Sequence, residues 1–301
     1  MNILILGGTG LIGSALHHSL TKNKHRITIV SRVPEKASRL FPEQTRVVGS
    51  VSEITDDDEI DAVVNLAGAQ LVGKRWSRAR KKEIWESRVD LTQDLVMWLS
   101  KRSRKPEVLI NGSAIGFYGD TGERNIDESD QAGEDFGARL CAAWEAEAIK
   151  SESLGIRVCL ARTGLVLSIR GGMLTQLLLP FRMGLGSKIS SGQQWMSWIH
   201  IDDQIAILEH MLFEKNLHGA YNLAAPGSVR NSEFTSTLAH TLGRPSFLTA
   251  PAFFIRLALG EASGLLLGGQ QVAPKRILES GYQFIYPSLQ GALQDLLQKP
   301  G

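Results

Sequence analysis

Near the amino end stands Gly7-Gly8-Thr9-Gly10-Leu11-Ile12-Gly13, with the composition and spacing of a phosphate-binding turn. It follows the apolar run at residues 2–6 and opens a stretch in which Ile12, Ala15, Leu16 and Leu20 recur at helical spacing. In that context one glycine permits the tight turn, another lets the backbone approach a pyrophosphate, and a third lets helix and strand pack closely. The helix start then offers unpaired N–H groups and a partial positive charge to the phosphates. A ligand-free tight turn could use the same glycines, but the strand–turn–helix order favours a dinucleotide. Roughly 20 residues later an NAD-binding chain places a carboxylate for the ribose 2′-hydroxyl. This chain has Ser31-Arg32 there, and a guanidinium pairs with a 2′-phosphate, so NADP(H) is the expected coenzyme. Asn65-Leu66-Ala67-Gly68, at the end of a later strand, supplies small residues for a close coenzyme wall, with Asn65 bracing the neighbouring backbone.

Positioning these groups requires strands and helices in alternation. Short β-branched runs at 2–6, 26–30, 46–48, 62–66, 108–111 and 156–161 read as strands. Between them, helices are written by residues 12–20, by Ile84, Val89, Leu95, Val96 and Leu99, and by 137–153. Strands and helices in this rhythm imply an α/β fold, a doubly wound parallel sheet of Rossmann type, with continuous apolar strands buried on both faces. Beyond residue 165 the rhythm loosens into a smaller mixed α/β carboxyl-terminal region. The expected division is a dinucleotide-binding domain over 1–165, with segments near 197–224 returning to it, and a substrate-binding region over 166–301. In the latter, a helix runs from about 201 to 213 with Asp202 as its cap, and 220–223 is strand-like.

Composition narrows the function. The 301 residues are 43% apolar and 21% charged, and Lys+Arg 33 against Asp+Glu 31 leaves +2, too little surplus for a dedicated nucleic-acid binder. Two cysteines, Cys141 and Cys159, are too few for a disulfide scaffold or a cysteine zinc site, which suits a reducing, cytoplasmic setting. The apolar start lacks a basic flank, and the longest apolar stretch, 252–267, is broken by Arg256 and Glu261, so no membrane span is expected. Six cations between Lys74 and Lys82 read as a solvated helix face, and Asp56-Asp57-Asp58-Glu59 as a solvated turn. No histidine spacing suggests a metal site, and Gly112-Ser113-Ala114-Ile115-Gly116 departs from the nucleophile-elbow pattern.

With those segments in place, the chain resembles the extended short-chain dehydrogenase/reductases, and within them the atypical epimerase/dehydratase-like "epimerase family protein" group. The resemblance is carried by the glycine turn, Ser31-Arg32, Asn65–Gly68, Lys74-Arg75-Trp76, Glu86-Ser87-Arg88, Gly112-Ser113-Ala114, Tyr118-Gly119, Leu140-Cys141 with Trp144-Glu145, and Arg162-Thr163-Gly164. Pro180-Phe181-Arg182, Trp198–Asp202 and Pro274-Lys275-Arg276 extend it along nearly the whole chain. It implies that Leu66, Ala67, Glu83, Arg88 and Leu165 join the turn and Ser31-Arg32 in holding NADP(H). Active members use a Tyr-x-x-x-Lys pair, whose lysine lowers the pKa of the tyrosine. None of the four tyrosines here is so followed; Gly137 and Cys141 stand where the pair would be. Ser113 matches the family serine, and Tyr118 matches a Tyr-Gly turn. Both are candidates to polarise or protonate a substrate, or else to satisfy backbone groups and pack in a turn.

The stretch Gln194-Trp195-Met196-Ser197-Trp198 lacks the arginine with which sugar-nucleotide enzymes clamp a diphosphate. Its aromatic residues suit a flatter apolar ligand or core packing. The expected function is an NADP(H)-dependent oxidoreductase or epimerase-like enzyme, transferring hydride at a carbonyl or alcohol carbon of a small molecule. The alternative is a catalytically silent NADP(H)-binding sensor. Neither nucleic acid nor membrane is an expected partner, and a dimer is compatible with the fold.

Overall fold

The computed structural model describes residues 1–298. Its main elements, in chain order, are β1 (Asn2–Leu6), α1 (Leu11–Lys22), β2 (Arg26–Val30), β3 (Arg46–Val48), β4 (Ala62–Asn65), α2 (Arg78–Trp85), α3 (Leu91–Lys101), β5 (Val108–Ala114), α4 (Phe136–Ile149), β6 (Arg157–Thr163), α5 (Gly172–Arg182), α6 (Ile201–Phe213), β7 (Gly219–Leu223), α7 (Asn231–Thr241), α8 (Ala252–Leu259) and α9 (Leu289–Gln298). A strand apolar on both faces must lie between two layers of helix. β1 does so: Ile3 and Ile5 pack with Leu16 and Leu20 of α1 and with Ile207, Leu208 and Met211 of α6. Leu4 and Leu6 face the other way, among Leu95 and Leu99 of α3 and Ala148 of α4.

The seven strands are ordered β7-β6-β5-β4-β1-β2-β3, and every pairing is parallel. Ile3 sits between Ile27 and Ala62, so the winding reverses between β1 and β4. That switch point opens a crevice at the carboxyl ends of the strands. The doubly wound sheet expected from the sequence is present. β5 extends three residues beyond its expected end, because Gly112, Ser113 and Ala114 continue the ladder against Ala161, Arg162 and Thr163 of β6. The helix expected around Ile84 to Leu99 is an unbroken run from α2 to α3, with a π turn at Glu86–Asp90 inside it. π turns occur mostly as such single insertions, frequently at functional sites.

Carboxyl-terminal segments form a second core. Leu174, Leu178 and Phe181 of α5, Phe234 and Leu238 of α7, and Leu293 of α9 enclose Trp198, which settles that tryptophan as packing. Asp203 fastens the tail to α6: its buried carboxylate accepts hydrogen bonds from the Tyr282 hydroxyl (2.7 Å), Ile285 N–H (2.8 Å) and Tyr286 N–H (2.9 Å). Burial, and then the Asp203 hydrogen bond, push the Tyr282 phenol upward. One local expectation is corrected. Asp202 does not cap α6; His200 is the N-cap, its Nδ1 accepting from Asp202 N–H at 3.0 Å. Among the described residues no helix is long and apolar enough to cross a membrane, and Cys141 and Cys159 are both free and buried.

Removing the Asp203 carboxylate would leave two backbone N–H groups and a phenol without an acceptor. Asp203→Ala should cost about 2–4 kcal/mol, read as a lowered midpoint in urea unfolding.

Candidate dinucleotide-binding cleft

Backbone built without side chains forms the floor of the crevice. Gly7 has φ +77°, and a Cβ there would stand 2.6 Å from the Leu66 carbonyl. A Cβ on Gly13 would fall 2.4 Å from Gly7 O, so α1 can begin directly against the turn. Gly10 N–H donates to Gly7 O at 3.0 Å, and no side chain caps α1 at Gly10. Its first-turn N–H groups are thereby left for a ligand, and the positive end of the helix faces anionic groups favourably. Thr9 and Gly10 are exposed on the turn, while Leu11 and Ile12 are half-buried behind it. The residues present fit a pyrophosphate.

Beside the turn, Asn65 is fully buried and performs the bracing expected of it. Its Nδ2 donates to Asn111 Oδ1 (2.7 Å) and Thr92 Oγ1 (2.8 Å), and its Oδ1 accepts from Ala67 N–H (3.3 Å). Leu66, Ala67 and Gly68 follow as a fixed edge. A side chain at Gly68 would overlap the Arg88 guanidinium, 2.7 Å from its Cζ. Arg88 rides on the π turn and stacks over Trp144 at 5.4 Å. Among the described residues it forms no ion pair, and burial lowers it to about 10. Leu165 is held by its N–H to Ser197 O at 2.8 Å.

A cavity of about 310 Å³ opens next to Gly68, lined by Arg32, Lys74, Arg80 and Glu83. Ser31, one position before Arg32, accepts a hydrogen bond from Val33 N–H at 3.4 Å. Arg80 pairs with Glu83 and donates to Gln70 O. The hydrogen bond from Arg80 holds the Glu83 carboxyl below its ordinary value, with Lys74 and Arg32 adding smaller pulls. The basic stretch is therefore not simply a solvated face. Lys74 and Arg80 share a cavity with Arg32, and Lys81 pairs with Glu261 in the carboxyl-terminal region.

At the ends of β5 and β6 lies a buried polar chain. Arg162 grips Glu145 through Nε–Oε1 and Nη2–Oε2, both 2.8 Å. The Ser113 hydroxyl donates to Glu145 Oε1 at 2.6 Å. Tyr118, 3% exposed, donates to Asn222 Oδ1 (2.7 Å) and accepts from Arg162 Nη1 (2.9 Å). Burial pushes its phenol up to about 12. On α4, Cys141 is buried beside Ser113, its thiol raised to about 11 chiefly by burial, and Gly137 carries no side chain. The structure thus brings Ser113 and Tyr118 into one network with Glu145 and Arg162. Glu145 and Arg162 lie 17 residues apart in the chain, on a helix and a strand, and no local pattern pairs them.

In a separate cavity, Arg230 reaches Trp195 from the paired strand, stacking at 3.8 Å and pairing with Glu123. A cation is therefore present beside the stretch that lacks one. His200, Asp202 and Asp295 bring oxygen and nitrogen atoms within 4.8 Å of one another, with His200 Nδ1 occupied as the helix cap.

Comparison with known proteins follows the same outline. Residues 3–224 match the model of the NAD dependent epimerase/dehydratase family, and 250–296 match a domain of unknown function, DUF1731. An epimerase family protein of Mycobacterium bovis is 38% identical over 302 residues, covering 99% of this chain and 98% of its own. A mouse epimerase family protein is 36% identical over 302 residues, covering 99% of this chain and 100% of its own. The crystal structure of a human epimerase family protein, SDR39U1, with NADPH superposes with a TM-score of 0.91 at 34% identity, covering 100% of both chains.

Arg88 carries a testable cost. A base whose folded pKa lies below its unfolded one opposes folding wherever it is charged, and that cost fades as pH rises above about 10. Arg88→Met should therefore raise the stability of the ligand-free protein at neutral pH, by about 1 kcal/mol in urea unfolding, and the gain should shrink above pH 10.

Proposed function

The chain belongs to the NAD dependent epimerase/dehydratase family, and from that premise we propose that it is an NADP(H)-dependent oxidoreductase or epimerase-like enzyme acting on a small carbonyl or alcohol. The observation that carries this reading is the close-packed, uncapped Gly7–Gly13 turn lying beside the cationic cavity that contains Arg32. In this assignment the first-turn amides of α1, from Leu11 through Gly13, hold the pyrophosphate, with Gly7, Gly8, Thr9 and Gly10 forming the turn. Ser31 and Arg32 take the 2′-phosphate. Leu66, Ala67, Gly68, Glu83, Arg88 and Leu165 wall the remainder, and the human relative crystallised with NADPH supports the choice of coenzyme. When bound, a nicotinamide coenzyme gives or takes a hydride.

Ser113 gives its only proton to Glu145, so toward a ligand it offers lone pairs. It accepts from a substrate hydroxyl, with Glu145 held by Arg162 behind it. Tyr118 has its phenol engaged on both sides and is assigned a positioning part through Arg162. Substrate enters as a small molecule, and the free buried thiols suit a cytoplasmic setting. A second reading, a silent NADP(H)-binding sensor, draws on Gly137 and Cys141 standing in place of the usual acid/base pair.

Reduced-nicotinamide absorbance followed across a library of carbonyl compounds separates the two readings. Turnover abolished by Ser113→Ala supports the enzyme; NADPH binding without turnover on any compound supports the sensor. Arg32→Ala should weaken NADP(H) about tenfold more than NAD(H), and an equal loss removes the 2′-phosphate assignment.

A further inference from the structure

We infer that Lys74, acting with Arg32 and Arg80, forms a binding site for a phosphate monoester dianion and sets the preference for the phosphorylated coenzyme. This rests on the coenzyme reading above. The three cations line one cavity of about 310 Å³, although Arg32 follows β2 while Lys74 and Arg80 come from the basic segment that leads into α2. Among the described residues, neither Arg32 nor Lys74 takes part in an ion pair, whereas Arg80 is held by Glu83 and Gln70. The single carboxylate, Glu83, leaves this group with two surplus positive charges. A phosphate monoester carries about −1.5 to −2 at neutral pH, so it balances that surplus, and a 2′-hydroxyl in its place does not.

The geometry also divides the labour. Arg80 is fixed by its carboxylate and carbonyl partners and by the Ser77 cap, whose Oγ accepts from Arg80 N–H at 3.2 Å. It serves as a permanent wall. The Lys74 ammonium stands on an exposed loop just after Gly73, whose φ of +97° turns the chain with nothing within 4 Å of a Cβ. A compact charge on a long stem can follow a phosphate from such a loop, while Arg32 offers the planar fork. Lys81, seven residues on, ties the start of α2 to Glu261.

The test is a fluorescence titration of NADPH and NADH into the wild type, Lys74→Ala and Lys74→Glu. Lys74→Ala should raise the Kd for NADPH about tenfold and leave that for NADH within about twofold. Lys74→Glu should raise the NADPH value by about a hundredfold. In competition, 2′,5′-ADP should displace NADPH from the wild type better than 5′-AMP, and Lys74→Ala should erase most of that advantage. Equal losses for both coenzymes, or an unchanged NADPH affinity with wild-type binding intact, overturn the role of Lys74 alone. A folded wild type that binds no NADPH overturns the coenzyme reading, and this inference with it.

Discussion

The structure turns on a steric constraint: between β1 and α1 the chain passes so close to itself and to Leu66 that Gly7 and Gly13 have no room for a Cβ. That closeness is what brings the start of α1 to the switch point between β1 and β4 with its N–H groups free. The hydrophobic layers on both sides of the sheet then act at a distance. They hold the strands in one register, so that every carboxyl end lies along a single rim. The buried polar side chains of β4 and β5, Asn65, Asn111 and Ser113, stand toward that rim.

Along the rim, charge is distributed unevenly. Arg162 and Glu145 are almost wholly buried but satisfy each other with two hydrogen bonds, an arrangement in which desolvation is offset. Arg88 has no carboxylate partner among the described residues and is held at a cost, its pKa lowered by burial to about 10. The two cases separate a cation whose burial a carboxylate offsets from one whose burial none does. They also show why losing the usual tyrosine and lysine does not leave the rim bland: a thiol, a serine and a bound carboxylate occupy that neighbourhood instead.

Much of the fold was legible because apolar runs and helical periodicity report burial directly. β1 and the glycine turn, each written within a few contiguous residues, are examples. What stayed hidden depends on contacts between distant segments or on residues used against type. Gly112, Ser113 and Ala114 extend β5 although small and polar, because β6 continues alongside them. A histidine rather than the neighbouring aspartate caps α6. The cations at 74 and 80 resembled an ordinary solvated face, since no local pattern reveals that Arg32, more than 40 residues earlier, shares their cavity.

The returning strand has a consequence for biogenesis. β6 ends at Thr163 and its outer neighbour β7 begins only at Gly219. On a ribosome adding about 5–20 residues per second, the seven-residue edge of β6 waits several seconds for its cover. During that interval the nascent chain presents a row of unpaired amides and carbonyls, the kind of template on which neighbouring chains aggregate.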